Sequence, residues 1–274
     1  MAPYRFPGPV CQIKDWYDGI DDGTLARVRS PNTSVLNGGD ATADTPSGNC
    51  SFLEPGSRFT VLAPSAAFDR LRTNSGAAAI SAITPKASYT WPNGASSAAL
   101  EQQITIDGQS ISVIRPEDAQ AAGKNLPTTA QLAEALRAVP RSQRIHTRRV
   151  VISPLPATGS SPTRTIAGEG GGGEIDLYPV NQSQTQQDFD NRVTHESGHN
   201  YQGNFWHSAG DVAAWQTIAV QDHKSPSRYA DENPGEDFSE FIILYNTTRG
   251  TACEAAASAM YPHRWARLQG YGAP

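Results

Sequence analysis

A chain of 274 residues that is 38% hydrophobic and 18% charged carries enough apolar material for one large globular domain or two modest ones, which excludes a fibre and a wholly disordered chain. With 22 Lys and Arg against 27 Asp and Glu, the formal charge is -5, which argues against binding a phosphate backbone. No segment approaches the run of about 20 apolar residues that a membrane span requires, and the opening MAPYRFPGPV has neither the basic nor the apolar region of a secretory signal. Compartment and oligomeric state stay open, and export, if it occurs, would be expected by another route or with a leader already removed.

From Met1 to Gly56 the chain is punctuated by Gly, Pro, Asn and Asp and reads as loop-rich. The three cysteines, Cys11, Cys50 and Cys253, are too few for a disulfide scaffold. A bond from Cys11 to Cys50 is the most natural pairing, with free buried thiols an equal alternative. Arg58 to Leu62 has strand character, and Gln103 to Ile114 alternates β-branched and polar residues about Asp107-Gly108, the pair that a type I′ hairpin turn favours. Residues 1–120 are therefore expected as a loop-rich, partly β N-terminal region of unassigned role, and residues 121–274 as a second domain.

In that second part, Thr128 or Thr129 is placed to cap a helix running to Val139, with Leu132, Leu136 and Val139 as its apolar stripe and Pro140 as its stop. A strand is expected from Ile145 to Ser153. Arg137, Arg141, Arg144, Arg148 and Arg149 read as a solvated face rather than an anion site. Residues Pro154 to Gly173 are rich in Pro, Thr, Ser and Gly, and Gly170 to Gly173 reads as a solvent loop or a rim over a cleft. Glu174, Ile175, Asp176, Leu177 and Tyr178 then alternate as a strand that Pro179 ends. This strand is expected at a sheet edge, where it would pair with an extended substrate or simply be blunted by its charges and proline. Ser183 or Thr185 can cap a following helix to Gly203, with Phe189 and Val193 on its inward side. The succession is an α+β pattern.

That last helix carries His195-Glu196-Ser197-Gly198-His199, an H-E-x-x-H motif. Imidazoles four residues apart share one helix face and can reach one Zn²⁺, while the intervening Glu lies beside the metal's water. A solvated polar helix face would be the bland explanation. A catalytic zinc needs a third protein ligand and an open position. Downstream candidates are His207, Asp211, His223, Glu232, Glu236, Asp237 and Glu240. Gln202 and Phe205 stand where a metzincin would place Gly and His, Asp211 stands at an aspzincin-like distance without the flanking residues of that group, and His207 reads as a surface histidine.

The better candidate lies in a second helix. Asn233 is suited to its N-cap and Pro234 to N1, and Phe238, Phe241, Ile242 and Tyr245 form its apolar stripe. Glu236 and Glu240 then stand one turn apart, one free to bind metal and the other to accept an N–H from a ligand histidine; Asp237 is expected only to favour the helix N-terminus. His195-Glu196-Ser197-Gly198-His199, then Tyr229, then Glu236 seven residues later and Phe238-Ser239-Glu240, resemble the gluzincin peptidases, and among them the family of the anthrax lethal factor catalytic domain and the Pro-Pro endopeptidases. The resemblance implies an α+β zincin-like metalloprotease fold over residues 121–274: a twisted sheet with an edge strand at the cleft, the H-E-x-x-H helix and a second ligand-bearing helix. It implies one Zn²⁺ per chain held by His195, His199 and Glu236, Glu196 as general base, Tyr229 as donor to the oxyanion and Glu240 as support. The activity implied is a zinc-dependent endopeptidase acting on protein or peptide substrates, in a secreted or toxin-like effector. A zinc amidohydrolase acting on a non-protein amide and a zinc-binding docking module without turnover are the competing readings. An intact Glu196 argues against the module.

Overall fold

The computed structural model describes Cys50 and residues 63–117, 126–158, 166–180, 184–227 and 229–273. The strand expected over Arg58 to Leu62, together with Cys11 and Ser183, lies outside these residues. The described helices are α1 (Ser65–Thr73), α2 (Thr129–Ala138), α3 (Arg141–Arg144), α4 (Gln186–Gln202), α5 (Ala209–Gln221), α6 (Pro234–Thr248), α7 (Glu254–Met260) and α8 (Pro262–Gly270). The strands are β1 (Ala79–Ile80), β2 (Thr84–Thr90), β3 (Ser96–Ile106), β4 (Gln109–Pro116), β5 (Arg149–Ile152), β6 (Gly168–Gly171) and β7 (Glu174–Leu177). Among the described residues, no helix is long and apolar enough to cross a membrane. The chain divides into two units: one runs from Asp69 to Asn200, and the other gathers Cys50 and residues 63–68 with the chain from Tyr201 onward.

The first unit is built on a mixed sheet in the order β1-β3-β4-β5-β7-β6, with β2 also paired to β3. Strands β3 and β4 form the antiparallel hairpin expected from Asp107-Gly108: Ile106 pairs with Gln109, and Asp107 and Gly108 take φ of 52° and 77°. The turn aspartate has a second use, because its carboxylate accepts from the Gly76 N–H at 2.7 Å and from Arg144 at 2.6 Å. These bonds hold the Asp107 carboxyl below its ordinary range, the Gly76 bond first. Thr128 caps α2 and Gln131 answers it in a capping box; Leu132, Leu136 and Val139 are buried as the stripe predicted.

Arg144 departs from the solvated face expected of the arginine run. It is fully buried and donates to the Val139 and Leu136 carbonyls at 3.0 and 3.3 Å as well as to Asp107, so it closes the end of α2 onto the hairpin turn. Its helix, α3, ends at Arg144 and is followed by a turn where the strand was expected to start at Ile145; the strand begins only at Arg149. One face of the sheet buries Ile104, Ile111, Val150, Ile175 and Leu177 against α2 and against Phe189 and Val193 of α4. The other face holds a smaller cluster of Trp91, Ala99, Ile114 and Val151.

Two expectations about the sheet are corrected. Strands from residues 79–116 and 149–177 share it, so a boundary near residue 120 runs through a sheet rather than between domains. Strand β7 is not an edge: it pairs in parallel with β5 and antiparallel with β6. The glycine run expected as a loop supplies the outer strand, β6, and Gly172-Gly173 make the turn with φ of 63° and 86°. Two successive glycines meet the positive φ of a tight hairpin without steric cost.

The second unit is organised around α6, which is buried on nearly every side. Phe238 lies 4.8 Å from Trp215 and 5.5 Å from Trp206, centroid to centroid, and Phe241 lies 5.5 Å from Tyr261. Within this aromatic core sits a charged network. Arg264, fully buried, reaches both oxygens of Asp237 at 2.8 and 2.6 Å and Asp222 at 3.1 Å, while the Trp215 indole N–H donates to Asp237 at 2.8 Å. Asp237 therefore does more than favour a helix N-terminus. Burial pushes its carboxyl up, and Arg264 and Trp215 pull it back. Cys50 is bonded to Cys253, not to Cys11, across a sequence separation of 203 residues.

Removing Arg264 would strand two buried carboxylates, so Arg264→Ala is expected to lower the free energy of unfolding by about 3–5 kcal/mol in urea titrations. Intact mass under non-reducing conditions should show the Cys50–Cys253 bond, and its reduction should cost about 2–5 kcal/mol in the same titration.

Candidate metal centre

Helix α4 starts at a reciprocal cap: the Asp188 N–H donates to the Thr185 hydroxyl at 3.2 Å, and the Thr185 N–H donates to Asp188 Oδ2 at 2.7 Å. From there the helix carries the motif inward, with His195, Glu196, Ser197 and Asn200 all buried. The rings of His195 and His199 stand edge to face at 4.9 Å, as a spacing of four residues requires. The back of the helix is held by Gln143, whose amide donates to the Thr194 carbonyl at 2.8 Å and to the Ser197 hydroxyl at 2.6 Å. Asn200, one residue past the motif, accepts from the Gly173 N–H at 2.8 Å and donates to the Glu174 carbonyl at 3.1 Å and the Thr147 hydroxyl at 3.2 Å. The motif helix is thereby fastened to the β6–β7 hairpin.

Helix α6 begins as its sequence predicts. The Asn233 side chain accepts from the N–H groups of Gly235 and Glu236 at 2.9 and 3.0 Å, and Pro234 occupies N1. Glu236 is half-buried in this first turn. One ligand atom from each of His195, His199 and Glu236 lies within 4.8 Å of the others, a grouping that could hold a metal ion. The three residues singled out as ligands are thus brought together.

The other candidates are placed differently. Asp211 is the third residue of α5, where its carboxylate accepts from the Ser208 hydroxyl at 2.8 Å and from the N–H groups of His207 and Ser208, each at 2.9 Å. Those bonds, the His207 N–H first, hold its pKa down, and they mark it as a helix cap. His207 and His223 are exposed. Glu240 is fully buried and accepts from the Ser227 hydroxyl at 2.6 Å; that hydroxyl accepts in turn from the Ala230 N–H at 3.2 Å. Glu240 therefore supports the segment on which Tyr229 sits. Tyr229 is half-buried and opens the 3₁₀ turn Ala230–Glu232.

In the former edge-strand group, Ile175 and Leu177 are core residues, and Tyr178 is buried with its hydroxyl donating to Glu169 at 2.6 Å across the hairpin. Burial, then that bond, raises the Tyr178 phenol far above its ordinary value, with the charge of Glu196 a smaller contribution in the same direction. Asn200, Gln143 and the glycines of β6 escaped the sequence reading. The paired glycines of the hairpin turn were the one signal that could have found β6.

Compared with protein-family models, with curated proteins and with solved structures, the chain matches none of them.

If the three ligands act together, His195→Ala and Glu236→Ala each lower bound metal from about one ion per chain towards none in elemental analysis. Asp211→Ala keeps its metal and instead loses about 0.5–2 kcal/mol of stability through the α5 cap.

Proposed function

We propose that this protein is a zinc-dependent endopeptidase of the gluzincin type, with a zincin-like arrangement of sheet and ligand helices. The observation that carries the reading is the grouping of His195, His199 and Glu236, with Glu196 on the same helix as the histidines. Two imidazoles and one carboxylate suit Zn²⁺ and leave one coordination position open, the ligand count of a catalytic rather than a structural site. When bound, the ion supplies a Lewis acid and lowers the pKa of a water towards neutrality.

The remaining chemistry belongs to side chains. Glu196 takes the proton of the attacking water and passes it to the leaving amine, a role favoured by a buried carboxylate beside the ligand histidines. Tyr229 donates from its hydroxyl to the developing oxyanion. An extended peptide would pair with β6, which among the described residues is the strand at that end of the sheet. The bond between Cys50 and Cys253 fits a chain that matures in an oxidising compartment, as a secreted effector would.

The test is cleavage of a mixed peptide library in parallel with metal analysis. Wild type and Glu196→Ala should each hold about one zinc, with turnover by Glu196→Ala reduced about 10²–10⁴-fold. Tyr229→Phe should keep its zinc and lose about 10²–10³ in kcat. A wild type that binds no zinc, or that binds zinc and cuts no peptide, would refute the peptidase reading.

A further inference from the structure

The outer hairpin approaches the motif helix more closely than side chains permit, and two glycines allow it. A methyl group at Gly170 would lie 2.8 Å from the main-chain carbonyl carbon of Glu196 and 3.0 Å from its Cα, with the carbonyl oxygen nearer still. A methyl group at Gly168 would meet the side chain instead, 2.9 Å from Glu196 Cδ and 3.0 Å from Cγ, with Oε1 nearer still. Neither glycine has positive φ, so the backbone does not require glycine at these positions; at Gly170 the space does, because the obstacle is main chain, whereas a methyl group at Gly168 would displace the end of the Glu196 side chain. The strand is also fixed at its turn, because Asn200 binds both Gly173 and Glu174 from the helix that carries Glu196. Gly168 and Gly170 pair with Leu177 and Ile175, whose side chains are buried on the face that packs against α4.

We propose that Gly168 is a positioning residue for Glu196: the bare backbone of β6 forms the wall against which the carboxylate stands, and glycine is required there so that the carboxylate keeps its place. The effect on turnover rests on the peptidase reading; the contact itself does not.

A double-mutant cycle separates the two. Ala in place of Gly at ordinary φ by itself favours the folded state, by restricting the unfolded chain. In the metal-free full chain, Gly168→Ala is therefore expected to lower Tm by about 3–6 °C in the wild-type background and to leave it unchanged or raised in Glu196→Ala, where the obstructing side chain is gone. Gly170→Ala, which meets the main chain, should lower Tm in both backgrounds. With zinc bound at about one ion per chain, Gly168→Ala should lower kcat at least about tenfold with KM within about twofold of wild type. An equal Tm shift in both backgrounds, or a zinc-loaded Gly168→Ala enzyme with wild-type kcat, would overturn the proposal. Absence of turnover in the wild type would overturn the peptidase reading and leave the unfolding cycle to decide on the contact.

Discussion

Burying a polar helix is the constraint on which the arrangement of the first unit depends. Helix α4 brings Asp190, His195, Glu196, Ser197 and Asn200 out of water, and an unanswered polar group in such a place costs about 1–3 kcal/mol. The surrounding elements meet this cost with specific partners. Arg72 of α1 pairs with Asp190, Gln143 of α3 binds the Thr194 carbonyl and the Ser197 hydroxyl, and Asn200 binds the β6–β7 turn. The apolar side of the same helix is narrow, with Phe189 and Val193 packed into the sheet core. Hydrophobic burial thus draws the helix in, and hydrogen bonds fix its rotation about its own axis. That rotation decides which way two histidines and a glutamate face.

Polar anchoring of this kind also explains the composition of β6. A strand of one glutamate and three glycines has little intrinsic tendency to form, since glycine is depleted in strands and loses more entropy on ordering than any other residue. It forms because β7 supplies a ladder and Gly172-Gly173 supply the turn, and it stays glycine-rich because a larger residue at 170 would collide with the Glu196 main chain and one at 168 would displace the Glu196 side chain. Local propensity is given up to bring a backbone close to the helix that carries the H-E-x-x-H motif. Such a conflict between local preference and final structure is expected where a site, rather than a core, sets the requirement.

The elements that could be read from the sequence are those whose cause is local. Asp107-Gly108, the Thr128 cap with Gln131, and Asn233 followed by Pro234 each place turn or cap chemistry within four residues of the structure they specify. The His195, His199 and Glu236 grouping was legible for a related reason: two histidines one turn apart and a glutamate in a capped first turn are local patterns, even though the two helices are far apart in sequence. What escaped depends on distant partners. Arg144 looks like its exposed arginine neighbours until Asp107 and the α2 carbonyls are placed around it, and Cys50 finds Cys253 over 203 residues, a connectivity that no spacing rule predicts. The glycine strand escaped because it has no side-chain alternation to read.

Three carboxylates on α6 show how one helix can hold acidic groups for different ends. Asp237 points into the aromatic core and meets Arg264, so its charge is neutralised in place and ties α6 to α5 through Trp215. Glu240, one turn after Glu236 and fully buried, holds Ser227 and through it the backbone of Ala230. Glu236 alone of the three stays partly accessible, in a first turn whose backbone N–H Asn233 has already satisfied. A carboxylate at that point gains from the helix dipole and is not needed to cap its own helix. Burial therefore sorts the three: the two enclosed carboxylates fix α6 and the segment bearing Tyr229, and their rigidity leaves the half-buried one in a defined place, which a metal ligand would need more than charge.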